Sequence, residues 1–183
     1  MKAEALALPG VVLLTPQVHG DERGYFMETW RATDMEDWMK PTLSFVQDNQ
    51  SRSAQGVLRG LHFQTRHPQG KLVRCLRGAI YDVVVDLRRD SGHFGQWLGV
   101  TLDDQAHQQL WVPPGFAHGF QVLSPTADVS YRCTAYYDPE GEGGIAWNDP
   151  ELAIDWPLPD SQVSAKDAAW PTLRQWDEAT GES

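Results

Sequence analysis

Three functional side chains sit close together in an otherwise apolar stretch, Gly56-Val57-Leu58-Arg59-Gly60-Leu61-His62-Phe63-Gln64 and, past a short loop, Gln69-Gly70-Lys71. An arginine, a histidine and a lysine occupy places where apolar residues would pack better, and burying ionisable groups costs free energy unless something pairs with them. Singly they read as two exposed charges and one hydrogen-bonded core histidine. Together, on neighbouring strand segments, they point to a site. A second dense stretch, Trp111 to Phe120, sets His118 just after a stiff Pro113-Pro114-Gly115 turn and among apolar neighbours. Tyr131 falls in the alternation Val129, Tyr131, Cys133, so its ring is expected to face inward with the apolar set. Alone, a buried tyrosine is more often a core residue with a satisfied hydroxyl than a catalyst. Gln47-Asp48-Asn49, taken alone, is ordinary turn chemistry. The chemistries open to such a set are metal ligation by histidines and proton transfer by a metal-free imidazole.

The elements that must position these groups read as strands. Val57, Leu58, Leu61 and Phe63 supply the apolar half of a half-buried surface, and Gly70 ends the following loop. The pattern predicts strands over Gly10–Gln17, Tyr25–Trp30, Leu43–Asn49, Lys71–Leu76, Ala79–Leu87, Phe94–Leu102, Gln109–Val112 and from Ala127 onward, mostly divided by glycine or Asp-Asp turns. Asp34–Met39 is predicted as one helical turn capped by Asp34 and stopped before Pro41. Spacing near ten residues without a long helical pattern indicates an all-β sandwich or barrel. Gly141 to Ser183, rich in proline, tryptophan and acid, is expected to wrap the body without adding to a sheet, its last ten residues loose. Arg59 and His62, three residues apart, should point to opposite faces of a regular strand. If both serve one pocket, Gly60 must mark a bulge or bend.

At 183 residues the chain is expected to be one domain, 1–183, with a substantial core. Apolar content is 41%, and the 10% aromatic share includes eight tryptophans, which suits a strand-rich fold. A net charge of -10 argues against a general binder of nucleic acid or anionic membrane, while leaving room for one small anion held by converging arginines and lysines. Cys75 and Cys133 form no metal or redox motif, which suits a reducing compartment. The apolar run Val11–Leu14 is too short to span a membrane and carries no cleavage signal. The expectation is a soluble, cytoplasmic protein.

A compact β-barrel with histidines at these two places resembles the cupin superfamily. Metal-binding cupins typically show His-x-His followed by glutamate, then a histidine after a Pro-x-Gly turn. Here the first motif is His62-Phe63-Gln64, and the loop after it brings Thr65, Arg66, His67, Pro68 and Gln69 but no glutamate. Only His62 and His118 fall on the motif, short of the three or four donors a divalent ion needs. No metal and no cofactor is expected, and a metal-free histidine is available as a base.

Over about residues 1–171 the sequence resembles the dTDP-4-dehydrorhamnose 3,5-epimerase family. The resemblance rests on Arg23-Gly24, Phe26-x-Glu28, Gln47-Asp48-Asn49 with Ser51-Arg52-Ser53, Gly56 to Gln64, and Gln69-Gly70-Lys71. It continues through Asp82 to Asp86, Pro114 to Phe120, Trp147-Asn148-Asp149-Pro150 and Ser164-Ala165-Lys166-Asp167. It implies a cupin-type jelly-roll β-barrel with a few short helices and an irregular C-terminal tail. It further implies epimerisation of a dTDP-4-keto-6-deoxyhexose at C3 and C5, with His62 as base, Asp167 as its partner, Lys71 stabilising the enolate and Tyr131 returning the proton. Arg23, Arg59 and Lys166 resemble the residues that hold the diphosphate and its surroundings. Glu28, Gln47, Asp48, Asn49 and Glu142 resemble the polar lining, Phe26 a thymine stacker and His118 a substrate contact. Asp82 is expected beside a histidine. Family members are homodimers that exchange N-terminal strands, so a homodimer is implied. Arg132 stands where lysine is frequent and Ala135 where aspartate is common, which leaves the exact substrate open. The alternatives are a mono-epimerase acting at C3 or C5 alone, a metal-dependent cupin oxygenase, and a non-catalytic nucleotide-sugar binder.

Overall fold

The computed structural model describes residues 1–35 and 44–181. Its strands are β1 (Lys2–Ala5), β2 (Val12–Thr15), β3 (Val18–Asp21), β4 (Gly24–Met27), β5 (Gln47–Ala54), β6 (Leu58–Gln64) and β7 (Lys71–Arg77). They continue with β8 (Ala79–Asp86), β9 (Trp97–Asp103), β10 (Gln109–Val112), β11 (Phe116–Val122), β12 (Thr126–Cys133) and β13 (Glu142–Gly144), and one helix, α1 (Leu173–Thr180), follows. Short 3-10 turns cover Ala32–Met35, Pro139–Gly141 and Asp167–Ala169. Antiparallel pairing builds a six-stranded sheet, β1-β2-β10-β7-β12-β5, a five-stranded sheet, β13-β6-β11-β8-β9, and a separate hairpin, β3-β4. This is the all-β architecture that the strand spacing indicates and the cupin-like jelly roll that the resemblance implies. Among the described residues no helix is long and apolar enough to cross a membrane.

Side-chain alternation divides the apolar residues among three layers. Val73 and Cys75 of β7, Ala127 and Val129 of β12 and Leu110 of β10 meet Ile80 and Val84 of β8 and Phe116, Phe120 and Val122 of β11 between the two sheets. The opposite face of the five-stranded sheet carries Leu61, Phe63, Val83, Val85 and Ala117, covered by Ile145, Leu152 and Leu173 from the C-terminal segment. Val12, Leu14, Leu72 and Trp111 form a smaller cluster on the outside of the six-stranded sheet, with Trp30 and Phe45 packed over it. The central layer is therefore apolar through most of its depth, and polar inward positions gather where β5, β6, β7 and β12 begin or end.

The structure corrects several sequence expectations. The first strand is Lys2–Ala5; all four of its residues are exposed, so they carry no apolar alternation to read. Val18–Asp21 pairs with Gly24–Met27 as a hairpin, where a single strand over Tyr25–Trp30 is predicted. Gln47-Asp48-Asn49 opens β5 where the pattern predicts the end of a strand from Leu43, a residue outside the described range. The Ala32–Met35 turn contains Asp34 instead of being capped by it, and the predicted turn's remaining residues, 36–39, also lie outside that range. The C-terminal segment does extend a sheet, since Glu142–Gly144 pairs with Gln64 to His62 of β6. Leu173–Thr180, most of it expected to be loose, forms α1, started by a capping box in which Thr172 accepts from the Gln175 N–H and Gln175 reaches back to the Thr172 N–H; the two final residues lie outside the described range.

Candidate active site

Two rows of cross-strand partners build one wall of a cavity. Cys133 lies opposite both Gln47 and Lys71, and Tyr131 opposite both Asn49 and Val73. Cross-strand partners share a face, so Gln47, Asn49, Lys71, Tyr131 and Cys133 all point between the sheets. The facing wall comes from β6 and β13, where His62 pairs with both His118 and Gly144, and Gln64 with Glu142. Together they enclose a cavity of about 250 Å³ lined by His62, Lys71, Tyr131, Gln47, Asn49, Gln64, Gln69, Tyr137 and Glu142.

Arg59 reaches the same side because the strand is irregular. The register against β11 shifts by one between His118 and Phe120, leaving Phe120 opposite Arg59. Gly60 takes φ +145, and a Cβ there would stand 2.6 Å from the Gly119 Cα, so no side chain fits. This is the bulge that brings Arg59 to the same side of the sheet as His62, although Arg59 does not line the cavity. Arg59 Nε donates to Ser53 Oγ at 3.0 Å, and its charge lowers the pKa of Tyr131 against the stronger effect of burial.

The ionisable groups differ in how far each is satisfied. His62 Nε2 lies 2.7 Å from Asp167 Oδ1, and Asp167, buried in its 3-10 turn, is steadied by its own N–H donating to Ser164 Oγ. Burial pulls the His62 pKa below its usual 6.5; the bond to Asp167 and its charge oppose this, and the charges of Lys71 and Lys166 add to it. The Trp170 ring lies edge-on to the imidazole at 6.4 Å between centroids. Lys71 is 9% exposed, and burial lowers its pKa, opposed by Cys133, Asp82 and Glu142. Tyr131 is half-buried, and burial raises its phenol above 10. Glu142 accepts from Tyr137 Oη at 2.7 Å and from Lys166 Nζ, and these bonds outweigh burial and hold its carboxyl below the usual range.

His62, Lys71, Tyr131, Asp167, Gln47, Asn49, Glu142 and Lys166 are thus brought to one place. Others of the expected set are not. His118 is buried behind the cavity, its Nε2 3.0 Å from both Asp82 carboxylate oxygens, so it contacts Asp82 and does not line the space. Asp48 alternates to the outer face, where it pairs with Arg132 and accepts from Ser130. Arg23, Phe26 and Glu28 lie on or just beyond the β3-β4 hairpin, away from the cavity lining. Arg23 pairs with Asp21 and Glu28 with Arg31, while Phe26 is 72% exposed. Gln64, Gln69 and Tyr137 line the cavity without having been expected. Gln64 had a signal, since it stands two residues from His62 on the same strand face. A second, more apolar cavity of about 320 Å³ lies between the loop after β6 and α1. Its one cation, Arg89, is engaged by Asp177 and Thr180.

Comparison with known proteins places this arrangement. A family model described as dTDP-4-dehydrorhamnose 3,5-epimerase matches residues 5–175. A Pseudomonas aeruginosa dTDP-4-dehydrorhamnose 3,5-epimerase is 54% identical over 168 residues, covering 91% of this chain and 93% of that protein. The crystal structure of a Legionella pneumophila dTDP-6-deoxy-D-glucose-3,5-epimerase in complex with dTDP-4-keto-L-rhamnose is 49% identical. It superposes with a TM-score of 0.93 over 97% of this chain and 95% of that one. A 3'-monoepimerase from Streptomyces bikiniensis in complex with dTDP-quinovose is similar at 32% identity and a TM-score of 0.89, covering 96% of this chain and 89% of that one. With a family match across nearly the whole chain and half its residues shared with curated members, the protein belongs to the dTDP-4-dehydrorhamnose 3,5-epimerase family of isomerases.

Proposed function

We propose that this chain, as a single domain over residues 1–183, epimerises a dTDP-4-keto-6-deoxyhexose at C3 and C5, converting dTDP-4-dehydro-6-deoxy-D-glucose to dTDP-4-dehydro-L-rhamnose. The C4 ketone acidifies the C–H bonds on either side of it. Each inversion is loss of that proton to a base, formation of an enolate, and return of a proton on the opposite face. The reading is carried by one observation: a neutral-leaning imidazole, an ammonium and a phenol meet in one cavity. Neither Lys71 nor Tyr131 makes a side-chain hydrogen bond there among the described residues.

In the tautomer that donates Nε2–H to Asp167, the His62 lone pair sits on Nδ1, the atom that takes the substrate proton. Asp167 then steadies the imidazolium. The Lys71 ammonium has its charge to give to the C4 oxyanion, an interaction strengthened where water is excluded. Tyr131 keeps its proton until an enolate faces it, because burial raises its pKa. Proton removal and return are redox-neutral, so no electron carrier is required. The cavity of about 250 Å³ falls below the ~300–1,000 Å³ usual for sites that engulf a drug-sized ligand, so it takes the sugar while the nucleotide extends beyond it. Arg59 and Lys166 are placed to meet the diphosphate. Arg23, Phe26 and Glu28 complete the nucleotide end from the second subunit of a homodimer. This accounts for a hairpin whose Tyr25 and Phe26 are 60% and 72% exposed, with Tyr25 touching its own chain at the His107 ring.

The likeness to a 3'-monoepimerase supports a second reading, in which a single carbon is inverted. NMR of dTDP-4-keto-6-deoxyglucose with the protein in D2O decides between them. Deuterium at both C3 and C5 is the expected result, deuterium at one carbon supports the second reading, and none at either would sink both.

A further inference from the structure

Beside the His62 imidazole lies one ring that no role above uses. The 3-10 turn Asp167–Ala169 brings Asp167 to His62 Nε2, and the residue that ends the turn, Trp170, lays its indole next to the same imidazole. The two ring centroids are 6.4 Å apart with 69° between planes, within the range of edge-to-face pairing. Gly144 makes room for it. His62 and Gly144 are cross-strand partners and share a face, and a Cβ on Gly144 would collide with the indole. The backbone is pinned on both sides of the ring: the Ala169 N–H donates to the Lys166 carbonyl at 3.0 Å, and the Ala146 N–H to the Pro171 carbonyl at 2.7 Å.

Ordinary packing does not account for this residue. Trp97, Trp156 and Trp176 lie against the apolar cluster under the C-terminal segment, whereas Trp170 belongs to none of the three clusters. Trp97 and Trp156 donate their indole N–H groups to the carbonyls of Leu152 and Trp147; Trp170 Nε1 is buried with no acceptor among the described residues. An unpaired buried donor is unfavourable, so the indole is not held there by its own bonding. Its neighbours belong to the site: the imidazole, and Lys166, whose Nζ stands 6.0 Å from the ring centroid. It does not line the cavity, so it acts on the reaction only through them. The His62 side chain is 31% exposed, and the indole covers its flank beside Gly144. We propose that Trp170 is a positioning residue, whose indole fixes the plane of the His62 imidazole against Asp167 and keeps water from that flank. This rests on the epimerase reading, and the test separates the two.

Trp170→Ala removes the ring, and Trp170→Phe keeps a smaller one. Both are compared with the unaltered protein in kcat and KM for dTDP-4-keto-6-deoxyglucose across pH, in Kd for dTDP, and in the His62 titration followed by NMR. In Trp170→Ala kcat is expected to fall roughly tenfold, as for a slightly misplaced base, with KM and the dTDP Kd within about twofold. The His62 pKa and the acid limb of kcat/KM should both move up toward 6.5, because water readmitted beside the imidazole relieves the burial that holds the value down. The groups that face the imidazole stay in place: Asp167 and Lys166 from the turn, Lys71 from β7, Glu142 from β13 and Tyr131 from β12, with His118 of β11 turned to Asp82. Trp170→Phe should restore kcat to within about threefold and return the limb close to its original place. A lower kcat with an unmoved limb is what a structural role gives, and would overturn the proposal. A limb that moves down would mean that the whole turn had been lost, and would overturn it as well, as would an unchanged kcat or a Phe variant no better than Ala. If Trp170→Ala does not fold, Trp170→Leu is judged by the same readouts, and failure of both to fold would mark Trp170 as structural and overturn it too. Absence of turnover in the unaltered protein would overturn the epimerase reading instead, while the NMR titration would still decide on Trp170.

Discussion

The cavity between the sheets and the β3-β4 hairpin both carry charged and aromatic groups, and the fold treats them in opposite ways. Lys71, His62 and Tyr131 are held on paired strands and partly or wholly taken out of water, and burial shifts all three pKa values. Arg23 and Glu28 stand in solvent, each paired to a carboxylate or guanidinium within three residues, beside the largely exposed rings of Tyr25 and Phe26. Desolvated groups with unmet bonding capacity are poised for chemistry. Exposed groups paired locally, next to largely exposed rings, suit recognition by a second surface. The difference separates two kinds of failure: cavity changes should remove rate, and hairpin changes should remove affinity.

The largest effect is expected from His62→Ala. General-base loss typically costs about 100- to 10,000-fold in rate, and nucleotide affinity should stay within a few-fold because the imidazole faces the sugar. Deuterium exchange from D2O and dTDP titration read the two quantities separately. A variant that keeps exchange while losing dTDP affinity would reverse the contrast. Tyr131→Phe sharpens the point, since it leaves the base intact and removes the acid. Proton loss should continue and return should falter, so measured inversion drops by roughly 100-fold or more. Full turnover in this variant would remove Tyr131 from the mechanism.

A smaller effect is expected on the other side. Arg23→Ala should weaken nucleotide binding by about tenfold, the scale of one charge-assisted bond, with kcat nearly unchanged. Mixing chains sharpens this further. A dimer of one His62→Ala chain and one Arg23→Ala chain contains one fully intact site if the hairpin serves the partner's cavity, and none if it serves its own. Titrating the two together should therefore recover high-affinity turnover. No recovery would return Arg23 to its own chain.

Much of the cavity was legible in the sequence because strand alternation is a strict rule. Val129, Tyr131 and Cys133 had to share a face, and they do; Gly60 was the place for a bulge if Arg59 was to join the side of His62, and the register shift is there. The same rule, applied more widely, would have turned Asp48 outward and Gln64 inward. Other features left no such trace. Lys2-Ala3-Glu4-Ala5 is a strand exposed at every position, held by pairing to β2 and not by an apolar face. Glu142-Gly143-Gly144 reads as loop, yet each glycine clears a ring: a Cβ on Gly143 would meet Phe63 and one on Gly144 would meet Trp170. His118 was implied as a substrate contact by the resemblance. In the structure it is bonded to Asp82, the residue the resemblance set beside a histidine, a pairing across 36 residues that no local pattern shows.

The finest test of the contrast concerns pH. An exposed histidine titrates near 6.5, and a bond to a carboxylate would ordinarily raise that value. At His62 burial outweighs Asp167, so the folded protein binds this proton less readily than an unfolded chain does. The acid limb of kcat/KM, which reports the free protein's base, should therefore fall below 6.5. The same preference adds stability above pH 6.5, lost as pH falls through the folded value. Asp167→Asn removes the charge that opposes burial, so it should move the acid limb further down while lowering the plateau, because the imidazolium formed on proton transfer loses its support. A limb at or above 6.5 in the unaltered protein would mean that Asp167 outweighs burial. The Asp167→Asn profile would then drop sharply from that height, and the cavity would resemble the hairpin, with its ion pair setting the proton affinity.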